Sequence, residues 1–102
     1  MRDRPRRPYL ALLTITVRLA DAMSLKDKRM VVRSLKDGIR SRMGATVAEI
    51  DGLDEKRRAV VTAAVLSNSR VGAEEMLARL ENDVERRFGG YDLEVASEIV
   101  EL

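Results

Sequence analysis

The chain has 102 residues, 35 % of them charged and 45 % hydrophobic, with a formal net charge of +2. This length supports one domain whose hydrophobic core needs no cross-links. Cys and His are both absent, which excludes disulfides, thiolate chemistry, imidazole bases and most zinc ligand sets.

Residues 1–8 (M-R-D-R-P-R-R-P) form a basic, proline-broken segment, expected to be a flexible arm preceding a single domain over 9–102. From Tyr9 to Ala20 the sequence alternates, with Leu13, Ile15, Val17 and Leu19 on one face, and predicts a strand. Leu10 and Leu12 make the start of its other face apolar as well. A short loop, Asp21–Met23, leads into a helix from Ser24 to Gly44. Ser24 and Asp27 have capping-box spacing, and Gly44 is suited to a left-handed helix end. Leu25, Val32, Leu35, Ile39 and Met43 recur at helical spacing as a core stripe.

Ala45–Asp51 predicts a second strand, Gly52–Arg57 a hairpin connection, and Arg58–Ser67 a third strand that is apolar on both faces and therefore central. Ser67, Asn68 and Ser69 are candidate caps for a second helix, whose core stripe is Ala73, Leu77, Leu80, Val84 and Phe88. Gly89-Gly90 ends that helix, and Tyr91–Val100 predicts a final acidic strand. Strand, helix, strand, strand, helix, strand implies an α+β fold. The expected form is a ferredoxin-like βαββαβ two-layer sandwich, with two helices on one face of a four-stranded antiparallel sheet.

Charge is segregated along this order. The first helix carries seven cations against two anions, whereas residues 91–102 carry Asp92, Glu94, Glu98 and Glu101 with no cation. Lys26, Arg29, Arg33, Lys36 and Arg40 step by three and four, placing five cations on one helix flank. Lys26, Lys28 and Arg29 also crowd the first turn, where the helix dipole disfavours cations by roughly 0.3–1 kcal/mol each. Such a conflict suits a phosphate held at the helix start, with Arg33, Lys36 and Arg40 extending the track. The alternative is a stripe of solvated side chains whose stems cover apolar surface.

Other chemistry finds little support. Neither phosphate-cradling glycine motif occurs, and no Ser or Thr has a base at a supporting spacing. Glu49, Asp51 and Asp54 lie near a strand end and hairpin, where acids are common. The expectation is a non-enzymatic protein with no cofactor and no metal. The aromatics number three (Tyr9, Phe88 and Tyr91) and none lies in the interior of a central strand, so base stacking on the sheet is not expected. Structured RNA or a ribosomal subunit, contacted through phosphates at Lys26, Lys28, Arg29, Arg33, Lys36 and Arg40, is the leading partner. The alternative is a protein-interaction or dimerisation module acting through the open sheet face at Leu10, Leu12, Thr14, Thr62, Ala64 and Leu66. No apolar run approaches the roughly 18 residues of a membrane span, and no signal-peptide core is present, so a cytoplasmic protein is expected. Abundant charge with no Gln and scarce Asn is of the thermophilic kind.

The run L-T-I-T-V-R-L at Leu13–Leu19, followed by Ser24-Leu25-Lys26-Asp27-Lys28-Arg29, resembles the YlxP-like family of small bacterial proteins. V-A-E-I-D at Val47–Asp51 and Val65-Leu66-Ser67-Asn68 fit as well, and the likeness spans residues 10 to 102. It implies a ferredoxin-like fold, no established enzyme activity, and an RNA or ribosome connection, because members are commonly encoded beside translation and ribosome-maturation factors. The loop Ala20-Asp21-Ala22-Met23 lacks the glycines of the phosphate loop in acylphosphatases, which share this topology.

Overall fold

The computed structural model describes residues 6–20, 24–53 and 55–102, with only the backbone of Met43. The elements are β1 (Tyr9–Arg18), α1 (Leu25–Met43), β2 (Thr46–Asp51), β3 (Arg58–Ser67), α2 (Arg70–Phe88) and β4 (Asp92–Glu101). They form one antiparallel sheet in the order β2-β3-β1-β4. The fold is ferredoxin-like, with β1 and β3 central as their two-sided apolar sequences require.

Period-two alternation decides which side chains meet the helices. Ala11, Leu13, Ile15 and Val17 of β1 and Ala59, Val61 and Ala63 of β3 are buried. Val32, Leu35 and Ile39 of α1 and Ala73, Leu77, Leu80 and Val84 of α2 complete that core. Each Leu or Ile so buried stabilises the fold by about 1.5–3 kcal/mol relative to exposure. Phe88 closes the end of the α2 stripe half-buried.

Local chemistry sets the boundaries. The Ser24 hydroxyl accepts from the Asp27 N–H, and the Asp27 carboxylate accepts from the Ser24 N–H, at 3.1 Å each. Gly44, at φ 63°, closes α1, and its N–H donates to the Arg40 carbonyl. Ser69 caps α2 by accepting from the Gly72 N–H at 3.0 Å. β1 ends at Arg18 rather than Ala20, although the Leu19 N–H still donates to the Arg57 carbonyl at 2.8 Å in the register of the β1–β3 pair. Alternation along β2 buries Val47 and exposes Ile50, and the pairing with β3 shifts register between Glu49 and Asp51. Met1–Pro5, most of the expected arm, and the Asp21–Met23 loop lie outside the described residues. Arg6, Arg7 and Pro8 are exposed, and the Pro8 carbonyl accepts from the Leu102 N–H at 2.9 Å.

Gly52 begins the β2–β3 turn at φ 78°, and a Cβ there would stand 2.6 Å from the Arg58 carbonyl oxygen. At Gly44 nothing lies within 4 Å of such an atom. Left-handed backbone alone costs a non-glycine residue roughly 1–2 kcal/mol. Gly44→Ala is therefore expected to lose about that much, and Gly52→Ala clearly more, in paired urea-unfolding curves.

A cationic groove beside the first helix

The β2-facing flank of α1, β2 itself and the β2–β3 turn enclose a groove of about 540 Å³. Its apolar lining is Leu25, Val32 and Leu53, and its cationic lining is Arg29, Arg33, Lys36 and Arg40 with the buried Lys28 at its base. Steps of three and four along α1 put these cations on one flank, as the sequence spacing required. Among the described residues, no ion pair holds Arg29, Arg33 or Lys36. Arg40 is partly engaged: Nη2 donates to the Val47 carbonyl at 3.0 Å and Nη1 lies 3.7 Å from Asp37. Its side chain is nonetheless half exposed. Lys26 is exposed at the start of the helix but does not line the groove.

Lys28 departs from the sequence expectation. It is 2 % exposed and donates to the carbonyls of Gly52 and Glu55, with Glu49 Oε2 3.7 Å away. It therefore cannot join a solvent-facing phosphate site. The reason was present in the spacing: Lys28 lies four residues before Val32, on the same stripe as Leu35 and Ile39. Nor is a phosphate expected at the helix start itself. The Asp27 carboxylate occupies that position, and hydrogen bonds from the Ser24 backbone and hydroxyl hold it below the usual carboxylate pKa range. The cationic track accordingly begins at Arg29.

Glu49 is the second feature that spacing alone did not single out. It lines the groove with its side chain 17 % exposed, and Oε2 is buried without a hydrogen-bond partner. Nearby, Arg58 donates to both Asp51 and Glu55, bracing the turn. A hydrogen bond from the Gly52 N–H and the Arg58 guanidinium hold Asp51 below the normal range, and Arg58 does the same for Glu55. A further buried acid, Asp83 on α2, lies within 3.3–3.7 Å of Arg42, Arg86 and Arg87 and ties the end of α1 to α2.

The other candidate surface is assembled as three cross-strand pairs: Leu10 opposite Leu66, Leu12 opposite Ala64, and Thr14 opposite Thr62. The two threonine hydroxyls hydrogen-bond at 2.9 Å. These side chains share the sheet face away from the helices, where Leu66 is 60 % exposed. The aromatic residues lie elsewhere. Arg70 stands 5.6 Å from the centre of the Tyr9 ring, and Phe88 and Tyr91 approach each other at 6.3 Å. Among the described residues, no helix is long and apolar enough to cross a membrane.

Residues 10–97 match a family described as a protein of unknown function, DUF503. The chain belongs to the DUF503 family. No curated protein matches this DUF503 chain in sequence. Among solved structures, a de novo designed protein, Foldit4, is 14 % identical with a TM-score of 0.49, covering 89 % of this chain and 96 % of that one. A Thermus thermophilus protein described as a PII-like signaling protein is 23 % identical with a TM-score of 0.47, covering 92 % and 88 %.

Removing the Lys28 ammonium from this DUF503 domain leaves two carbonyls short of a donor and Glu49 without its nearest cation. Lys28→Met is expected to cost about 3–5 kcal/mol, the range for breaking a buried charge pair. Lys26→Met at the exposed position should stay within about 0.5 kcal/mol of wild type. Urea unfolding of the two variants measures the contrast.

Proposed function

We propose that this protein is a non-enzymatic RNA- or ribosome-associated factor that grips phosphate backbone through the groove beside α1. The observation that carries this reading is the row Arg29, Arg33 and Lys36, joined by Arg40, with the first three free of ion pairs among the described residues. A protein that used these side chains only for its own stability would be expected to pair them with some of its many carboxylates. The four carboxylates of β4, a strand without a cation, add a bipolar field that orients a polyanion towards α1. Structured RNA is favoured over single strands because the sheet carries no stacking platform, and A-form helices are read largely by shape. The YlxP-like resemblance, with its gene neighbours in translation, points the same way.

Four phosphate contacts predict steep salt dependence, with log K falling against log salt at a slope of roughly −3 to −4. The triple variant Arg29→Glu, Arg33→Glu, Lys36→Glu is expected to abolish binding to a structured RNA while keeping the wild-type circular dichroism. Unchanged affinity in that variant at low and moderate salt overturns the proposal.

A second reading follows from the three cross-strand pairs on the uncovered sheet face: two copies associate through it. Sedimentation over a concentration series is expected to show a dimer that Leu12→Glu converts to monomer without unfolding. A wild-type chain that remains monomeric throughout removes this reading.

A further inference from the structure

On the flank of α1 that faces α2, away from the groove, one carboxylate gathers more cations than it can balance. Buried Asp83 has Arg86, Arg42 and Arg87 at 3.3, 3.6 and 3.7 Å, all on the single oxygen Oδ1. One guanidinium would neutralise it, and Arg42 alone would tie α1 to α2. Three beside one oxygen repel one another and leave a local surplus of positive charge. Arg79, one turn before Asp83, adds a fourth, and among the described residues no ion pair holds it. The side chains of Arg42 and Arg86 are 50 % and 73 % exposed, so N–H donors remain open to solvent. Arg42, Arg79, Asn82, Asp83 and Arg86 together line a hollow of about 360 Å³. It lies across α1 from the groove: Arg42 is two residues after Arg40, about 200° further round the helix axis.

We propose that this hollow is a second phosphate site and that α1 lies between the two strands of a duplex RNA. One strand occupies the groove, and the other rests on Arg42, Arg79 and Arg86. The proposal rests on the reading of the groove as a phosphate site, and adds where the opposite strand is held. A strand that follows the groove runs along one side of α1, a ridge about 10–12 Å across. A duplex has a phosphate strand for each side. Groove depth then decides between duplexes. The two helices lie side by side on the sheet, with Arg87 so close over Gly38 that a Cβ there would stand 2.6 Å from its Nη1. Flanked in this way, α1 cannot enter the major groove of B-DNA, about 8.5 Å deep, and the minor groove, about 6 Å wide, is too narrow for it. The minor groove of A-form RNA is wide and shallow and displays 2′-hydroxyls. Between the two sites the crest of α1 presents Ser34, Asp37 and Ser41, all exposed. A 2′-hydroxyl donates to a carboxylate and exchanges hydrogen bonds with a serine in either direction.

The test is fluorescence anisotropy over a salt series, with a labelled RNA duplex, the DNA duplex of the same sequence and the RNA single strand as probes. On wild-type protein the RNA duplex is expected to give a slope steeper by about 2 than the four groove contacts supply, and the single strand no more than the groove's own. The variant Arg79→Gln with Arg86→Gln leaves Arg42 and Arg87 on Asp83, and is expected to lower the duplex slope by about 2. Should that variant fail to fold, the duplex and single-strand slopes of the wild type decide alone. An unchanged duplex slope in the double variant, with binding lost in the Arg29→Glu, Arg33→Glu, Lys36→Glu variant, overturns the second site and leaves the groove standing. Loss in the double variant alone overturns the groove, and with it the straddled duplex. Equal affinity for RNA and DNA duplexes overturns the minor-groove placement. Absence of binding to every probe overturns both readings.

Discussion

The buried ammonium of Lys28 holds together the two parts that make the groove. It extends from the first turn of α1 to the carbonyls of Gly52 and Glu55, across the turn that joins β2 to β3. An unpaired charge in such a place would be strongly destabilising, so the turn is fixed where it can satisfy the ammonium. That fixes Leu53 and Glu49 beside the helix and sets the spacing between the cationic flank and the edge strand. Arg58 reinforces the arrangement from the solvent side through Asp51 and Glu55. The positive φ at Gly52 follows from the same requirement, since the chain must turn sharply to bring its carbonyl to Lys28.

Two kinds of cation thus share one helix. Lys28 is spent on architecture, whereas Arg29, Arg33 and Lys36 have no ion-pair partner among the described residues. Arg40 stands between these cases, anchored to the Val47 carbonyl with much of its guanidinium exposed. Four acids near these elements are committed elsewhere: Asp27 to the cap, Asp51 and Glu55 to Arg58, and Asp83 to three arginines. A net charge near neutrality therefore conceals a concentrated positive field along one groove.

The fold was legible because its signals are local and agree with one another. The alternation of β1 and β3, the Ser24–Asp27 box, the Gly44 stop and the serine before α2 each specify a boundary from a few neighbouring residues. The cationic flank was legible for the same reason, since helical spacing alone places its members together. Lys28 carries two opposed signals, a charge that suits solvent and a position on the core stripe, and the position prevails because two carbonyls satisfy the ammonium. Glu49 could not be ranked above Asp51 because its standing depends on the β2 irregularity and on Lys28, both of them long-range features. Asp83 had a local signal, sitting between Leu80 and Val84, but its partner Arg42 is remote in sequence.

The break in β2 between Glu49 and Asp51 also bears on how copies of this chain can meet. That border of the sheet is a strand of six residues with an interrupted ladder, and the opposite border, β4, bears a row of carboxylates. Neither offers the long, flat, uncharged rim on which a neighbouring chain adds a further strand. Lateral growth into an open-ended ribbon is thereby discouraged at both ends. Any association between copies would then have to use the broad surfaces instead of the borders.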